Sequence, residues 1–217
     1  MKKYEKFNLG NIKLLSGKIL NSAHIIYKTY GKLNKDRSNV IILPTFYTGS
    51  HIRNEGFIGK NRAINPYKYF IVSINMFGNG LSSSPSKAVK TQFGSKFPTI
   101  TLWDNVYCQH KLITEKLKIR KVALVTGWSM AGCQSYQWAA QFPNTVKSIL
   151  PFSVNRFYLH FIKTIDHISN KKKDNGYHDI VTIFQEIDFF DAWGIEKAIH
   201  LQTLNSILGM LRQRKKF

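Results

Sequence analysis

Acidic residues and cysteines are scarce in this chain of 217 residues: 12 Asp and Glu stand against 32 Lys and Arg. Cys108 and Cys133 are too few for a disulfide framework and lack metal-ligand spacing, so we expect a reduced cytoplasmic protein without a bound metal. Long apolar runs are also absent, and no apolar segment follows the basic N-terminus. We therefore expect neither a membrane span nor a signal peptide.

The formal net charge of +20 suggests an anionic partner, but the distribution of the charge argues against one. Basic residues are spread along the whole chain, and they cluster tightly only at 171–173 and 212–216. Neither cluster contains interleaved aromatic residues on which bases could stack. Lysine-rich compositional drift is the simpler interpretation, and we expect no nucleic-acid partner.

Apolar runs and helical spacings alternate along the first two thirds of the chain, which predicts an open α/β sheet. The predicted strands cover 40–43, 69–74, 121–126 and 146–152, with helices over 101–117 and 131–142, an N-terminal hairpin over 12–30 and a long loop over 75–98. Strand, helix and strand in this order imply parallel pairing with right-handed crossovers. Working residues are then expected beyond the carboxyl ends of the strands.

One of these strand ends carries the strongest chemical signal. The sequence Val-Ala-Leu-Val-Thr-Gly-Trp-Ser-Met-Ala-Gly at 122–132 reads as a buried strand that turns sharply into a helix with Ser129 at the apex. Such a serine is a candidate nucleophile, provided that a histidine base and an orienting acid lie within reach. The amide of Met130 at the helix start, and another around 46–47, are candidate donors to an oxyanion.

Ordered motifs over roughly the first 155 residues resemble the homoserine O-acetyltransferase family of α/β-hydrolase-fold acyltransferases. The matching segments are 27–34, 44–51, 75–80, 83–86, 97–101, 104–106, 127–134 and 138–139. The resemblance implies that Ser129 is the acyl-accepting nucleophile and that Met130 and Tyr47 supply oxyanion-hole amides. It also implies ping-pong transfer of an acyl group to a small hydroxyl acceptor, with acyl-CoA as a possible co-substrate and no bound cofactor.

Two residues near the serine depart from the family pattern. Trp128 and Ala131 stand where the family usually has glycine, and Trp128 resembles a side branch whose members are described as hydrolases. A related ester hydrolase is therefore the other interpretation of this site. The tryptophans at 103, 128 and 138 are interpreted as core residues, although Trp128 could also line an acyl pocket.

The second half of the chain predicts a different arrangement. The family places its acid and histidine after further strands beyond a helical lid, whereas no Gly-His-Asp pattern follows Ser129 here. We therefore expect a core over 1–155 that lacks the last strands and a lid-like helical remnant over 156–217. The alternative function is a catalytically inactive remnant, or one part of a site completed by another chain or a homodimer. His51 is interpreted as shaping the pocket, and His160, His167 and His178 are not expected to be the base.

Overall fold

The computed structural model describes residues 4–46 and 49–152. The strands in this part are β1 (Glu5–Lys13), β2 (Ile19–Tyr30), β3 (Val40–Pro44), β4 (Phe70–Ile74), β5 (Leu124–Trp128) and β6 (Ile149–Phe152). The helices are α1 (His51–Asn54), α2 (Leu102–Lys111) and α3 (Met130–Gln141). A π-helical turn (Leu112–Lys116) continues α2, and single 3-10 turns cover Glu55–Phe57, Pro85–Lys87, Lys90–Gln92 and Gly94–Lys96.

The strands form one mixed sheet in the order β1-β2-β4-β3-β5-β6. β3 pairs in parallel with both β4 and β5, and β6 extends the parallel part beside β5. Every residue of β3 is buried, as expected for an apolar run covered on both faces. The predicted α/β architecture with parallel central strands is confirmed.

β1 and β2 form an antiparallel hairpin that joins the sheet where β2 pairs with β4. This hairpin starts at Glu5, well before residue 12 where the sequence predicted it. Most side chains of β1 are exposed, and they include Lys6 and Lys13. Charged side chains suit a strand at the sheet edge, because they oppose pairing with another chain. The apolar alternation of β1 covers only Phe7 and Leu9, because the register of the hairpin shifts around Gly10.

Helix α2 begins with a capping box. The Thr101 hydroxyl accepts a hydrogen bond from the Asp104 amide, while the Asp104 carboxylate accepts one from the Thr101 amide. The same carboxylate accepts the Leu15 amide at 2.7 Å, which ties the hairpin turn to the helix. One buried carboxylate therefore closes a capping box and also anchors the antiparallel part of the sheet.

The long loop over 75–98 packs against β2 through serine side chains. Since β4 pairs with β2 only from Tyr27 to Tyr30, the earlier amides of β2 lack a neighbouring strand there. The hydroxyls of Ser83 and Ser82 accept the amides of His24 and Ile26, each at 2.9 Å. Serine oxygens thus replace the carbonyls of a missing strand and satisfy buried donors.

The predicted division into 1–155 and 156–217 remains a prediction, since the second segment lies outside the described residues. Within 4–46 and 49–152, no helix combines the length and hydropathy that a membrane span requires. The parallel strands place the carboxyl ends of β3 and β5 side by side, and the candidate site lies there.

Candidate active site

Ser129 occupies the turn between β5 and α3, as the sequence predicted. Its backbone angles, φ 54° and ψ −122°, lie outside both the right-handed and the left-handed helical regions. Such a conformation costs on the order of 1–3 kcal/mol and persists only where its surroundings enforce it. The Ser129 amide donates to the Phe152 carbonyl at 3.0 Å, and the Ser129 carbonyl accepts the Cys133 amide at 3.1 Å. The neighbouring strand and the first turn of α3 therefore hold the serine in its strained position.

Close backbone packing explains the small residues around the serine. A Cβ atom on Gly127 would overlap the side chain and backbone of Ala131. The last residues of β5 and the first turn of α3 therefore approach too closely for any side chain at position 127. The methyl group of Ala131 fits at this contact because it faces a glycine. This explains how alanine can stand at position 131, where the family usually has glycine.

Met130 is the first residue of α3, so its amide is one of the N–H groups that an α-helix leaves without an internal partner. The positive end of the helix dipole lies at the same place. Both features favour a negative charge that develops near the serine. Tyr47, the other predicted oxyanion donor, lies outside the described residues.

Thr45 leads into the loop that contains Tyr47, and it is fully buried. Its amide donates to the Ile74 carbonyl at 2.9 Å, and its hydroxyl accepts the Met76 amide at 3.0 Å. Its carbonyl accepts the side-chain amide of Gln134 at 2.8 Å. The sequence alone did not identify Gln134, because Ser135, Gln137 and Gln141 lie on the same helix and no local signal distinguishes Gln134 from them.

Trp128 departs from its predicted core position. Its side chain is 47% exposed and packs against Phe46 at a ring-centroid distance of 5.8 Å. Trp138 is fully buried as predicted, and Trp103 is half-buried and stacks on Tyr107. Trp128 points outward because it is the last residue of β5, next to Ser129 and beyond the covered part of the sheet.

His51 is buried at the start of α1, where two hydrogen bonds join it to Asn75. The His51 amide donates to Asn75 Oδ1 at 3.1 Å, and Asn75 Nδ2 lies 3.0 Å from His51 Nδ1. Since Oδ1 accepts, the adjacent atom is the NH₂ group, and His51 Nδ1 must act as an acceptor. These contacts agree with the expected role of His51 in shaping the loop.

The other described histidines are also engaged away from the serine. His24 contacts Ser83 and the Leu81 carbonyl, and burial followed by nearby Lys6 lowers its pKa. His110 stacks on Phe142 and contacts Thr145, and burial lowers its pKa as well. Within residues 4–46 and 49–152, every histidine therefore has partners other than Ser129. The remaining histidines at 160, 167, 178 and 200 lie outside the described residues.

Cys133, on the first turn of α3, is a packed residue. It is buried, and burial raises the pKa of its thiol to about 11. Cys108 is fully buried, and burial raises its pKa to about 12. Both thiols stay protonated at neutral pH, so neither competes with Ser129 as a nucleophile.

Comparisons with known proteins agree with this geometry. A family described as the alpha/beta hydrolase fold matches residues 39–150, which is more than half of the chain. An ethyl acetate hydrolase from Pseudomonas veronii is 39% identical over 145 residues, covering 66% of this chain and 42% of the relative. A homoserine O-acetyltransferase from Nautilia profundicola is 34% identical over 157 residues, covering 64% of this chain and 42% of that relative.

A solved structure of an acetylester hydrolase from Corynebacterium glutamicum superposes with a TM-score of 0.67 at 34% identity, covering 81% of this chain and 51% of that chain. The chain spans less than half the length of the curated relatives it matches. The predicted resemblance to the homoserine O-acetyltransferases, and to esterases beside them, is confirmed. On its sheet order, its serine turn and these matches, the chain belongs to the α/β-hydrolase fold family.

Proposed function

We propose that Ser129 is the nucleophile of an acyl-transfer site that forms an acyl-serine and passes the acyl group to a small hydroxyl acceptor or to water. The single observation that carries this proposal is the strained backbone of Ser129 at the turn from β5 to α3. A serine held at φ 54° and ψ −122° by hydrogen bonds on both sides is expensive for a purely structural residue.

The chemistry has two half-reactions. Ser129 Oγ attacks the acyl carbonyl while its proton passes to a base, and the bond to the alcohol or thiol leaving group then breaks. In the second half-reaction the acceptor hydroxyl attacks the acyl-serine and restores Oγ. The amides of Met130 and Tyr47 would donate to the oxyanion of each tetrahedral intermediate. The proposed small-molecule partners are therefore an acyl donor, with acyl-CoA as one candidate, and a hydroxyl acceptor.

Trp128 and Phe46 support a small, uncharged acyl group. Their rings pack together beside Ser129 and present apolar surface. This surface would contact a short alkyl chain favourably and supplies no positive charge to a charged acyl group. The names of the relatives, ethyl acetate hydrolase and homoserine O-acetyltransferase, support acetyl as the first acyl group to test.

The competing function is a catalytically inactive form of the fold, or a site that a complementing chain or a second copy completes. One observation favours it: His24, His51 and His110 are each bonded elsewhere. Without a base, Ser129 would retain only the contribution of the oxyanion donors and of substrate binding, which is orders of magnitude smaller.

Labelling with a fluorophosphonate separates these functions. An intact site predicts one labelled serine per chain, located at Ser129 by peptide mass analysis and lost in Ser129→Ala. Ser135→Ala is the matched control, because Ser135 lies on α3 and its hydroxyl only donates to the Ala131 carbonyl. A wild-type chain that remains unlabelled would contradict the catalytic proposal for this chain alone and support the inactive alternative.

The acyl donor is tested in the same preparation. Incubation with acetyl-CoA or with 4-nitrophenyl acetate, followed by acid quenching, would trap acetyl-Ser129. Acetylation by both donors supports a transferase, whereas acetylation by the simple ester alone supports a hydrolase.

A further inference from the structure

We propose that Gln134 is a positioning residue for the oxyanion hole, holding Thr45 and the start of the loop after β3 at a fixed place relative to the first turn of α3. This inference rests on the proposed function of Ser129, because it assigns a role in the same site. Gln134 would touch no substrate. It would act through the backbone of Thr45, the residue from which the loop departs.

The first observation is that one side-chain amide bridges the start of the loop after β3 and the first turn of α3. Gln134 Nε2 donates to the Thr45 carbonyl at 2.8 Å and lies 3.3 Å from the Met130 carbonyl. Thr45 precedes the loop with Tyr47, while Met130 carries the other proposed donor. The two elements are far apart in sequence, and this amide joins them directly.

The second observation is that a hydrogen-bond relay fixes the orientation of the Gln134 amide. Trp138 Nε1 donates to Gln109 Oε1 at 2.9 Å, and Gln109 Nε2 donates to Gln134 Oε1 at 2.6 Å. An indole N–H can only donate, so it must face the oxygen of Gln109. Each following amide then has only one orientation that avoids an N–H to N–H clash. The relay therefore directs the NH₂ group of Gln134 towards the Thr45 carbonyl.

The third observation is burial. Trp138, Gln134 and Thr45 are fully buried, and Gln109 is 1% exposed. No solvent is available to replace a lost hydrogen bond, so breaking the relay leaves a donor or an acceptor unpaired in the core. A hydrogen-bonded network of this kind is costly to bury unless every donor and acceptor in it has a hydrogen-bond partner.

The consequence for the loop follows from peptide geometry. In a trans peptide the carbonyl of one residue and the amide of the next point in opposite directions within one plane. When Gln134 holds the Thr45 carbonyl towards α3, it also fixes the plane of the peptide that joins Thr45 to Phe46. The backbone therefore enters the loop in one direction, which is what a preorganised oxyanion donor requires.

Gln137 provides a matched comparison on the same helix. It is 2% exposed, and its Nε2 donates to Gln141 within α3, while no contact joins it to Thr45. Gln134→Leu and Gln137→Leu therefore remove the same group from similarly buried positions. Only the first of these changes breaks the bridge to the loop.

The experiment measures amide hydrogen exchange in peptides that cover 45–51, together with the rate of fluorophosphonate labelling at Ser129. In the wild type, the amides of Thr45, Gly49 and His51 are hydrogen bonded and should be protected. We expect Gln134→Leu to speed exchange there by about tenfold or more, since a buried hydrogen bond that closes the loop is lost. Gln137→Leu should leave this segment unchanged.

The labelling rate separates positioning from general stability. For Gln134→Leu we expect the limiting rate of labelling to fall by about 10-fold to 100-fold with little change in the apparent affinity for the probe. Equal exchange over 45–51 in the two variants would overturn the proposal, as would unchanged labelling in a chain that labels at Ser129. If the wild type does not label, the proposed function fails, and the exchange comparison still decides whether Gln134 holds the loop.

Trp138→Phe is the second variant, in case Gln134→Leu does not fold. It keeps an aromatic ring in the core and removes the indole N–H that sets the direction of the relay. We expect a smaller increase in exchange over 45–51 in the same direction. No increase there, in a folded Trp138→Phe protein, would contradict the relay.

Discussion

The parallel part of the sheet, β3 to β6, and the hairpin of β1 and β2 share one apolar core but differ in how much of their outer surface is exposed. In the parallel part, β3 is buried along its whole length and α3 packs on β5 and β6. In the hairpin, most of β1 is exposed. Two backbone amides of its neighbour β2 donate hydrogen bonds to the hydroxyls of Ser83 and Ser82 in the loop over 75–98. Apolar burial therefore stabilises both parts, because Leu20, Ile25 and Tyr27 of β2 lie in the same core as the parallel strands. The hairpin differs in its exposed outer strand and in the polar contacts that the loop makes along β2.

This difference bears on the site. A strained serine needs surroundings that do not relax, and the close packing of β5 against α3 supplies them. The hairpin contributes no residue to the turn at Ser129. Changes in the parallel part should therefore affect both stability and the site, whereas changes in the hairpin should affect mainly stability.

The largest expected effect compares one isoleucine from each part. Ile42 is fully buried on β3, where it pairs with Val72 and Val125, whereas Ile19 on β2 is 44% exposed. Ile42→Ala should lower the free energy of unfolding by about 3–4 kcal/mol, and Ile19→Ala by less than about 1 kcal/mol. Urea denaturation followed by circular dichroism measures both. Similar losses for the two variants would show that the side chain of Ile19 is buried as deeply as that of Ile42.

The next effect concerns the packing around the nucleophile. Gly127→Ala introduces a methyl group where Ala131 already lies, so we expect a loss of about 2–3 kcal/mol together with loss of labelling at Ser129. Gly56→Ala is the control, because a Cβ there meets nothing within 4 Å. Thermal unfolding and fluorophosphonate labelling provide the two readouts. If Gly127→Ala were as stable and as reactive as Gly56→Ala, the turn would not be closely packed.

Sequence patterns predicted the strands and the serine turn of the parallel part well, because these elements are determined by residues close together in the sequence. Continuous apolar runs locate β3 and β4, and the Gly-Trp-Ser-Met sequence locates the turn with Ser129 and Met130. The capping box at Thr101 and Asp104 is equally local, and the structure contains it. These elements depend on neighbours within a few residues, which a single sequence displays.

The elements that sequence patterns missed depend on distant partners. In β1 the apolar alternation covers only Phe7 and Leu9, because the register shifts around Gly10. Ser82 and Ser83 gain their role only from the missing strand beside β2. Gln109 and Gln134 look like ordinary helix residues until α2 and α3 pack together. No local pattern shows which polar residue will meet a buried partner, so the support of the oxyanion loop could not be predicted.

A smaller effect is expected from the serines that replace a strand. The Ser82 hydroxyl accepts the Ile26 amide at 2.9 Å and donates to the Asn75 carbonyl at 2.7 Å. Ser82→Ala leaves both buried groups unpaired, so we expect a loss of about 1–2 kcal/mol and faster amide exchange at Ile26. Ser86→Ala, on an exposed residue of the same loop, is the control. Unchanged exchange at Ile26 would show that water reaches this part of β2.

The smallest effect tests the contact that joins the two parts. Lys28 on β2 donates to the Glu55 carboxylate at 2.7 Å, and the Tyr30 hydroxyl donates to the same oxygen at 3.0 Å. The hydrogen bond from Lys28 is the main reason why the pKa of Glu55 lies below its ordinary value of 4.5. The contribution of this carboxylate to stability is therefore complete above pH 4.5 and disappears as the pH falls through the folded-state pKa.

Because the two charged side chains are 26% and 40% exposed, solvent screens the pair, and we expect a contribution below about 1 kcal/mol. Glu55→Gln should lower the free energy of unfolding slightly at pH 7. It should also reduce the loss of stability that occurs as the pH falls below 4.5. Urea denaturation of both proteins over this pH range measures the difference. If the two curves ran parallel, the attachment of the hairpin would depend on Asp104 and the loop serines rather than on the charge of Glu55.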